Sequence, residues 1–306
     1  SLAGKIDVNV GQFANLTFGG NANYSAGNNY SFANSLFNSD NNSRSLGFDW
    51  RVYGKFTQRF KNAKEDGEED GLIKNAYYQV MVDYSQNIGR TTNTRHGDNL
   101  FDYGHVGTFE TTIEDSYEFD AAQNMYINTD KNDENGVKFT ASDKNNDLAA
   151  ITSQFFDLNG GNVESQDVIL NGRALRNGDT PPSVYGLFTQ LGTQAGTFAK
   201  SVANQIRITA SGSADVKDHS ITVGFEYEQR VDRFYSIAPI GLWTRMRQLA
   251  NSHILERDLS SYTDEYRGTF VYRTYDRLRT DNQSWFDYNL RNKLGLDPNG
   301  TDYIDV

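Results

Sequence analysis

Along residues 46–60 nearly every second position is oily. Leu46, Phe48, Trp50, Val52, Phe56 and Phe60 fall on one side, with Gly54 and Gln58 among them. Asp49, Arg51, Tyr53, Lys55, Thr57 and Arg59 fall on the other. Side chains alternate across a β-strand, so this stretch predicts a strand with one apolar and one ionic face. The same period recurs at Ile6, Val8 and Val10, at Leu16, Phe18, Ala22 and Tyr24, and at Tyr78, Val80, Val82 and Tyr84. It recurs again at Ile206, Ile208 and Ala210, and at Ile221, Val223, Phe225 and Tyr227. The intervening positions are Asp, Glu, Arg, Asn, Gln and Thr for the most part, which gives a period of two rather than 3.6.

Short and long connections alternate between these runs. Gly11-Gln12 and Ser213 to Lys217 read as tight reversals, and the acidic stretch Lys61–Gly71 as a longer turn. Residues 25–44 and 87–200 are long and polar. The part 115–200 reads as an elaborate loop with little regular structure, and no second compact domain is expected. Two short helices are predicted, over Gly241–Leu255, where Leu242, Met246, Leu249 and Ala250 share a face, and over Ser284–Leu294.

Alternation alone fits a soluble sandwich with one wet face as well as a membrane barrel. Three features favour the barrel. The periodic runs reach the roughly ten residues that cross a bilayer at a steep tilt. Aromatics crowd the oily face and the strand ends, as in an interfacial girdle. The polar faces carry both signs of charge, which suits an aqueous interior. The predicted class is therefore all-β, a transmembrane antiparallel β-barrel with long extracellular loops and one or two short loop helices.

Composition narrows the chemistry. The 19 Phe and 18 Tyr, the 27 Gly and the 4 Pro fit many aromatic strands joined by flexible turns. A net charge of −11 without clustered Lys or Arg argues against nucleic acid. The absence of cysteine removes disulfides, thiolate metal sites and a Cys nucleophile. The longest apolar runs fall far short of the roughly 20 residues of a membrane helix.

Residues 219–254 read HSITVGFEYEQRVDRFYSIAPIGLWTRMRQLANSHI. This block resembles the mid-barrel signature of Oar-like TonB-dependent receptors of Bacteroidota, a strand ending in FE-EQR-DR followed by a loop bearing P-GLW and RQL-N-HI. FDYGHVGTF at 101–109 and YNLRNKLGLDPNGTDYID at 288–305 look like two further segments of that family. Residues 1–86 match only as generic barrel strands. The resemblance implies a single-chain barrel of about 22 strands closed by an internal plug. It implies energy coupling to TonB through that plug, in the bacterial outer membrane, with lipid and lipopolysaccharide around the barrel and a possible surface lipoprotein beside it.

Roughly eight to ten strands are legible, too few to close such a barrel without lipid-exposed edges. Residues 1–306 are thus expected to be part of one barrel domain, with 115–200 inserted as an extracellular loop and the plug lying outside this chain. The function expected is TonB-dependent import of a nutrient: an oligosaccharide, a peptide or a metal chelate. The alternatives are a surface adhesin or ligand-binding β module without transport, and a secreted carbohydrate-active enzyme resting only on scattered carboxylates.

No catalytic residue is expected. Trp243, Arg245, Arg247 and His253, with Gln248 beside them, are the candidate substrate contacts, the competing role being to pack their loop onto the barrel rim. Asp130, Asn132 and Glu134 have alternating calcium-loop spacing, but Gly136 comes one place late and no bidentate Glu follows, so the EF-hand loop is absent. No cofactor is expected, with a looser oxygen site for calcium over 128–147 left open. Glu226 and Glu228 share a strand face, where Arg230 makes ion pairing the expected role. Ala210-Ser211-Gly212-Ser213 reads as a turn-like cluster and Asn159-Gly160-Gly161-Asn162 as a turn, neither a nucleophile elbow nor a phosphate cradle.

Overall fold

A computed structural model describes residues 1–30, 42–60, 73–181, 194–278, 283–298 and 300–306. The expected turn at Lys61–Gly71 lies outside them. The described residues are mainly β, with 57% in strands and 18% in helices. The chain divides into two compact units: Ser1–Asn29, Ser43–Thr92 and Thr197–Ile237, and then Tyr30–Asn42, Asn93–Gly196 and Ala238–Val306.

The first unit is a six-stranded sheet in the order β1 (Leu2–Asn9), β2 (Ala14–Asn29), β3 (Ser43–Arg59), β4 (Ile73–Asn93), β7 (Phe198–Val216), β8 (His219–Ile237). The expected alternation sets the register. Ala22 faces Trp50 and Leu16 faces Phe56 across β2 and β3. Val82 faces Ile208 and Ile208 faces Tyr227 across β4, β7 and β8. A slip of one residue would turn each oily set to the other face, so the pattern itself specifies the pairing.

β7 runs unbroken through Ala210–Ser213, and the reversal is confined to Lys217-Asp218, with Lys217 at φ 55°. The turn-like reading of 210–213 and the reversal from Ser213 are corrected accordingly, because β4 and β8 pair with β7 through those residues. The sheet is open, with β1 and β8 at its edges.

The second unit corrects the expectation for 115–200. β5 (Gly107–Asp120) and β6 (Met125–Ala141) form a long hairpin, followed by α1 (Asn146–Leu158) and α2 (Gln166–Asn171). α1 turns Leu148, Thr152 and Phe156 inward at a spacing of four: Phe156 packs with Phe109, Val137, Val163 and Ile169, Leu148 with Val106 and Leu175, and the Thr152 hydroxyl donates to the Leu175 carbonyl. The Ser165 hydroxyl caps α2 by accepting from the Val168 amide. Gly160 and Gly161, both at positive φ, end α1, so the expected turn there is present.

α3 (Pro239–Leu249) and α4 (Ser252–Leu255) fill the predicted helical stretch, and α5 (Gln283–Leu294) the other. Pro239 starts α3 where its missing N–H is no loss. The described residues thus hold five helices rather than one or two. β9 (Arg257–Arg267) and β10 (Phe270–Arg277) complete a second sheet in the order β5-β6-β10-β9, with β10 parallel to β6. Among the described residues no helix is long and apolar enough to cross a membrane.

Candidate functional site

The two faces of the six-stranded sheet differ in chemistry. On one, Leu2, Ile6, Phe18, Tyr24, Val52, Val82, Val223 and Phe225 are all exposed, and this oily surface runs from β1 to β8. On the same side, in the middle stretch of β3 and β4, the Trp50 indole donates to Gln86 Oε1 (3.1 Å) and packs on Tyr84 (5.4 Å between centroids), and Gln86 donates to Asn204 (2.8 Å).

The other face is ionic. The Asp83 carboxylate, 3% exposed, takes Arg51 Nε at 3.1 Å from β3 and Arg207 Nε at 3.0 Å from β7. Register brings the three together: β3 and β7 flank β4, so each guanidinium reaches inward from a neighbouring strand. Beside them Asn87 donates to Asp49, and the Thr17 hydroxyl donates to Asp7, which also pairs with Lys5.

Polar side chains from five strands line one hollow of about 560 Å³, among them Asn21, Asp49, Arg51, Asn87, Gln205 and Arg230. Such a surface can hold a polar ligand or a polar protein segment by hydrogen bonds of both senses. Arg230 pairs with Asp232 (3.0 Å), while Glu226 and Glu228 stand opposite Thr209 and Arg207 in register.

Removing the shared carboxylate sets two guanidinia side by side. Asp83→Ala should therefore destabilise the sheet by about 2 kcal/mol, below the range for a fully buried pair because both arginines are partly solvated. Denaturant unfolding measures the loss, and adding Arg51→Ala to Asp83→Ala should recover part of it.

The predicted recognition residues lie in the second unit. Trp243 is half-buried. Its indole N–H donates to the Tyr103 carbonyl at 2.8 Å, and its ring meets Phe101 and His105 at 5.8 and 5.4 Å. Arg247 donates to the Asn177 carbonyl and lies 3.8 Å from Asp179. Burial, with Arg176 nearby, lowers its pKa from the usual guanidinium value.

Arg245 is exposed and reaches Gln248 at 3.4 Å. The side chain of His253 lies outside the described residues. The structure thus brings Trp243 and Arg247 onto one internal contact with 101–105 and 177–179, and leaves Arg245 at the surface. Gly178 belongs to that contact: its φ is +84°, and a Cβ there would stand 2.6 Å from Trp243 Cβ and 2.9 Å from the Ile240 carbonyl.

Of the three segments that carry the resemblance, 101–109, 288–305 and the second half of 219–254 lie in this unit, while 219–237 is β8 of the first sheet. Within 101–109, the amides of Val106 and Gly107 both donate to Asn177 Oδ1 (2.7 and 3.1 Å). Asn145, fully buried, donates to the carbonyls of Asp102 (2.8 Å) and His105 (3.0 Å), and its oxygen meets His96 Nε2 at 2.8 Å and accepts from Gln194. Burial lowers the pKa of His96 and of His105, against the pull of Asn145 on the first and of Asp102 on both. In 239–254, Asn251 exchanges two hydrogen bonds of 2.9 Å with the backbone of Ile304 in the third segment. These residues frame the unit rather than exposing a reactive group.

For calcium, the side chains of Asp130 and Asn132 lie outside the described residues, and Glu134 Oε2 accepts from the Gln166 amide at 2.5 Å. Among the described residues no group of three His, Cys, Asp or Glu side chains is placed to hold a metal ion.

Sequence reasoning missed the Asp83 centre and the Asn145 network. Asp83 had one usable signal, a carboxylate between two oily positions, but its partners are 32 and 124 residues away. Compared with family models, curated proteins and solved structures, the chain has no match.

Proposed function

We propose that this chain is part of a transmembrane β-barrel of the outer membrane, in the manner of TonB-dependent receptors, and that it serves active import of a nutrient. The observation that supports this most is the six-stranded sheet with one exposed oily face and one ionic face. In water an apolar patch of that extent is costly, and patches beyond a few hundred Å² mark a membrane or a partner. Hydrocarbon removes the cost, and the polar face then lines an aqueous interior.

β2, β3, β4, β7 and β8 run for 16, 17, 21, 19 and 19 residues, ample for strands that need about ten to cross a tilted bilayer. The open edges at β1 and β8 are compatible with further strands completing a barrel of about 22 strands. A plug and its TonB contact would then occupy the ionic side.

The function is tested in cells. The protein should fractionate with the outer membrane and extract only into detergent. Deleting it should abolish uptake of at least one oligosaccharide, peptide or metal chelate in a defined panel. Unchanged growth and uptake across the whole panel, or recovery of the protein in the soluble fraction, would defeat the proposal.

A further inference from the structure

The second sheet carries aromatic side chains on one face that none of the readings above uses. Phe119 on β5 faces Tyr126 on β6, Tyr126 faces Phe270 on β10, and Phe270 faces Arg267 on β9. The row therefore crosses all four strands at the inter-strand spacing of about 4.8 Å. Successive ring centroids are 5.1 and 5.5 Å apart, and Phe119, Tyr126 and Phe270 are 53%, 44% and 41% exposed. A second row on the same face holds Tyr117 and Tyr272, hydrogen-bonded to each other and packed edge-on at 6.0 Å. The row sits where two hairpin tips lie side by side, since the Tyr126 amide donates to the Thr269 carbonyl at 2.9 Å.

The polar groups around the rings narrow the occupant. Both oxygens of Glu265 are taken by Arg267 (2.9 and 3.0 Å), and the same guanidinium covers the Tyr272 ring at 4.3 Å. The cation that an aromatic and acidic patch would attract is thus supplied by the chain itself. The same pairing neutralises the one arginine of the patch, which leaves little to attract phosphate, sulfate or uronate.

What is offered is apolar ring surface plus neutral hydrogen-bonding groups. The Tyr126 hydroxyl has no hydrogen-bond partner among the described residues. That combination matches a ligand with C–H faces and hydroxyl edges and no charge. We propose that Phe119, Tyr126 and Phe270 form a binding platform for a neutral polysaccharide chain laid across the tips of the two hairpins. The proposal rests on the second sheet alone and stands whether or not the first spans a membrane.

Affinity electrophoresis of the full chain in detergent, through gels containing dextran, glucomannan, xyloglucan or laminarin, tests it. Retardation is expected in at least one gel. Tyr126→Ala and Phe270→Ala should each weaken it at least about fivefold, the scale of one lost ring contact. Tyr266→Ala, an exposed ring on the opposite face of the same sheet, should leave it unchanged. Dextran sulfate should retard the protein no more than dextran does. Thermal unfolding of each variant reports whether the fold is kept, and the exposed position of the rings predicts that it is. No retardation in any gel, unchanged binding by both ring variants, or capture of an aromatic peptide library in place of glycans would overturn the assignment.

Discussion

Val82→Arg should lower the stability of the protein folded in lipid vesicles by about 2–4 kcal/mol, the range for a cation on the lipid face of a barrel near the bilayer midplane. Val82 is 45% exposed, lies midway along the oily run of β4, and faces Ile208. In a soluble sheet an exposed Val→Arg change stays within about 0.5 kcal/mol, so the two environments differ several-fold in the size of the effect. Gln79→Arg, on the ionic face of the same strand, is the internal control and should cost little. Urea titration of folding into vesicles measures both, and equal small effects would place water rather than lipid against the oily side.

Asn145→Ala should destabilise the second unit by about 3–4 kcal/mol. The Asn145 amide is fully buried, and its loss strands the carbonyls of Asp102 and His105 together with the groups of His96 and Gln194 that met its oxygen. Each buried polar group left without a partner costs about 1–3 kcal/mol, and partial relaxation keeps the sum below the simple total. Denaturant unfolding gives the magnitude. Amide exchange across 101–109 should speed up, because those backbone groups depend on Asn145 and Asn177. An effect below about 1 kcal/mol would mean that water replaces the lost amide.

Much of the first sheet is legible in the sequence. The oily runs at 46–60, 78–84 and 221–227 are long and strictly alternating, so strand, face and register follow from a local rule. The helices at 239–255 and 283–294 were equally local, each with apolar residues at helical spacing and the first with a proline at its start. The β5–β6 hairpin escaped because its alternation is broken. Register shifts at Thr111/Ile113 and Asp115/Tyr117 move side chains between faces, and Asp133, Glu134 and Asn135 dilute what pattern is left. α1 carries a local signal that the polar stretches on either side obscure: Leu148, Ala149, Ile151, Phe155 and Phe156 stand at helical spacing.

In the first sheet the sequence by itself decided which residues form strands and which side of each strand is oily, because alternation is a property of neighbours along the chain. Only the tertiary structure decided that Arg51, Asp83 and Arg207 share one carboxylate, that Asn145 ties 101–105 to the rest of its unit, and that Phe119, Tyr126 and Phe270 stand in one row. Apart from Phe119 and Tyr126, which face each other across one hairpin, those groups are tens of residues or more apart along the chain, and the tertiary arrangement, which the local pattern does not encode, is what brings them together.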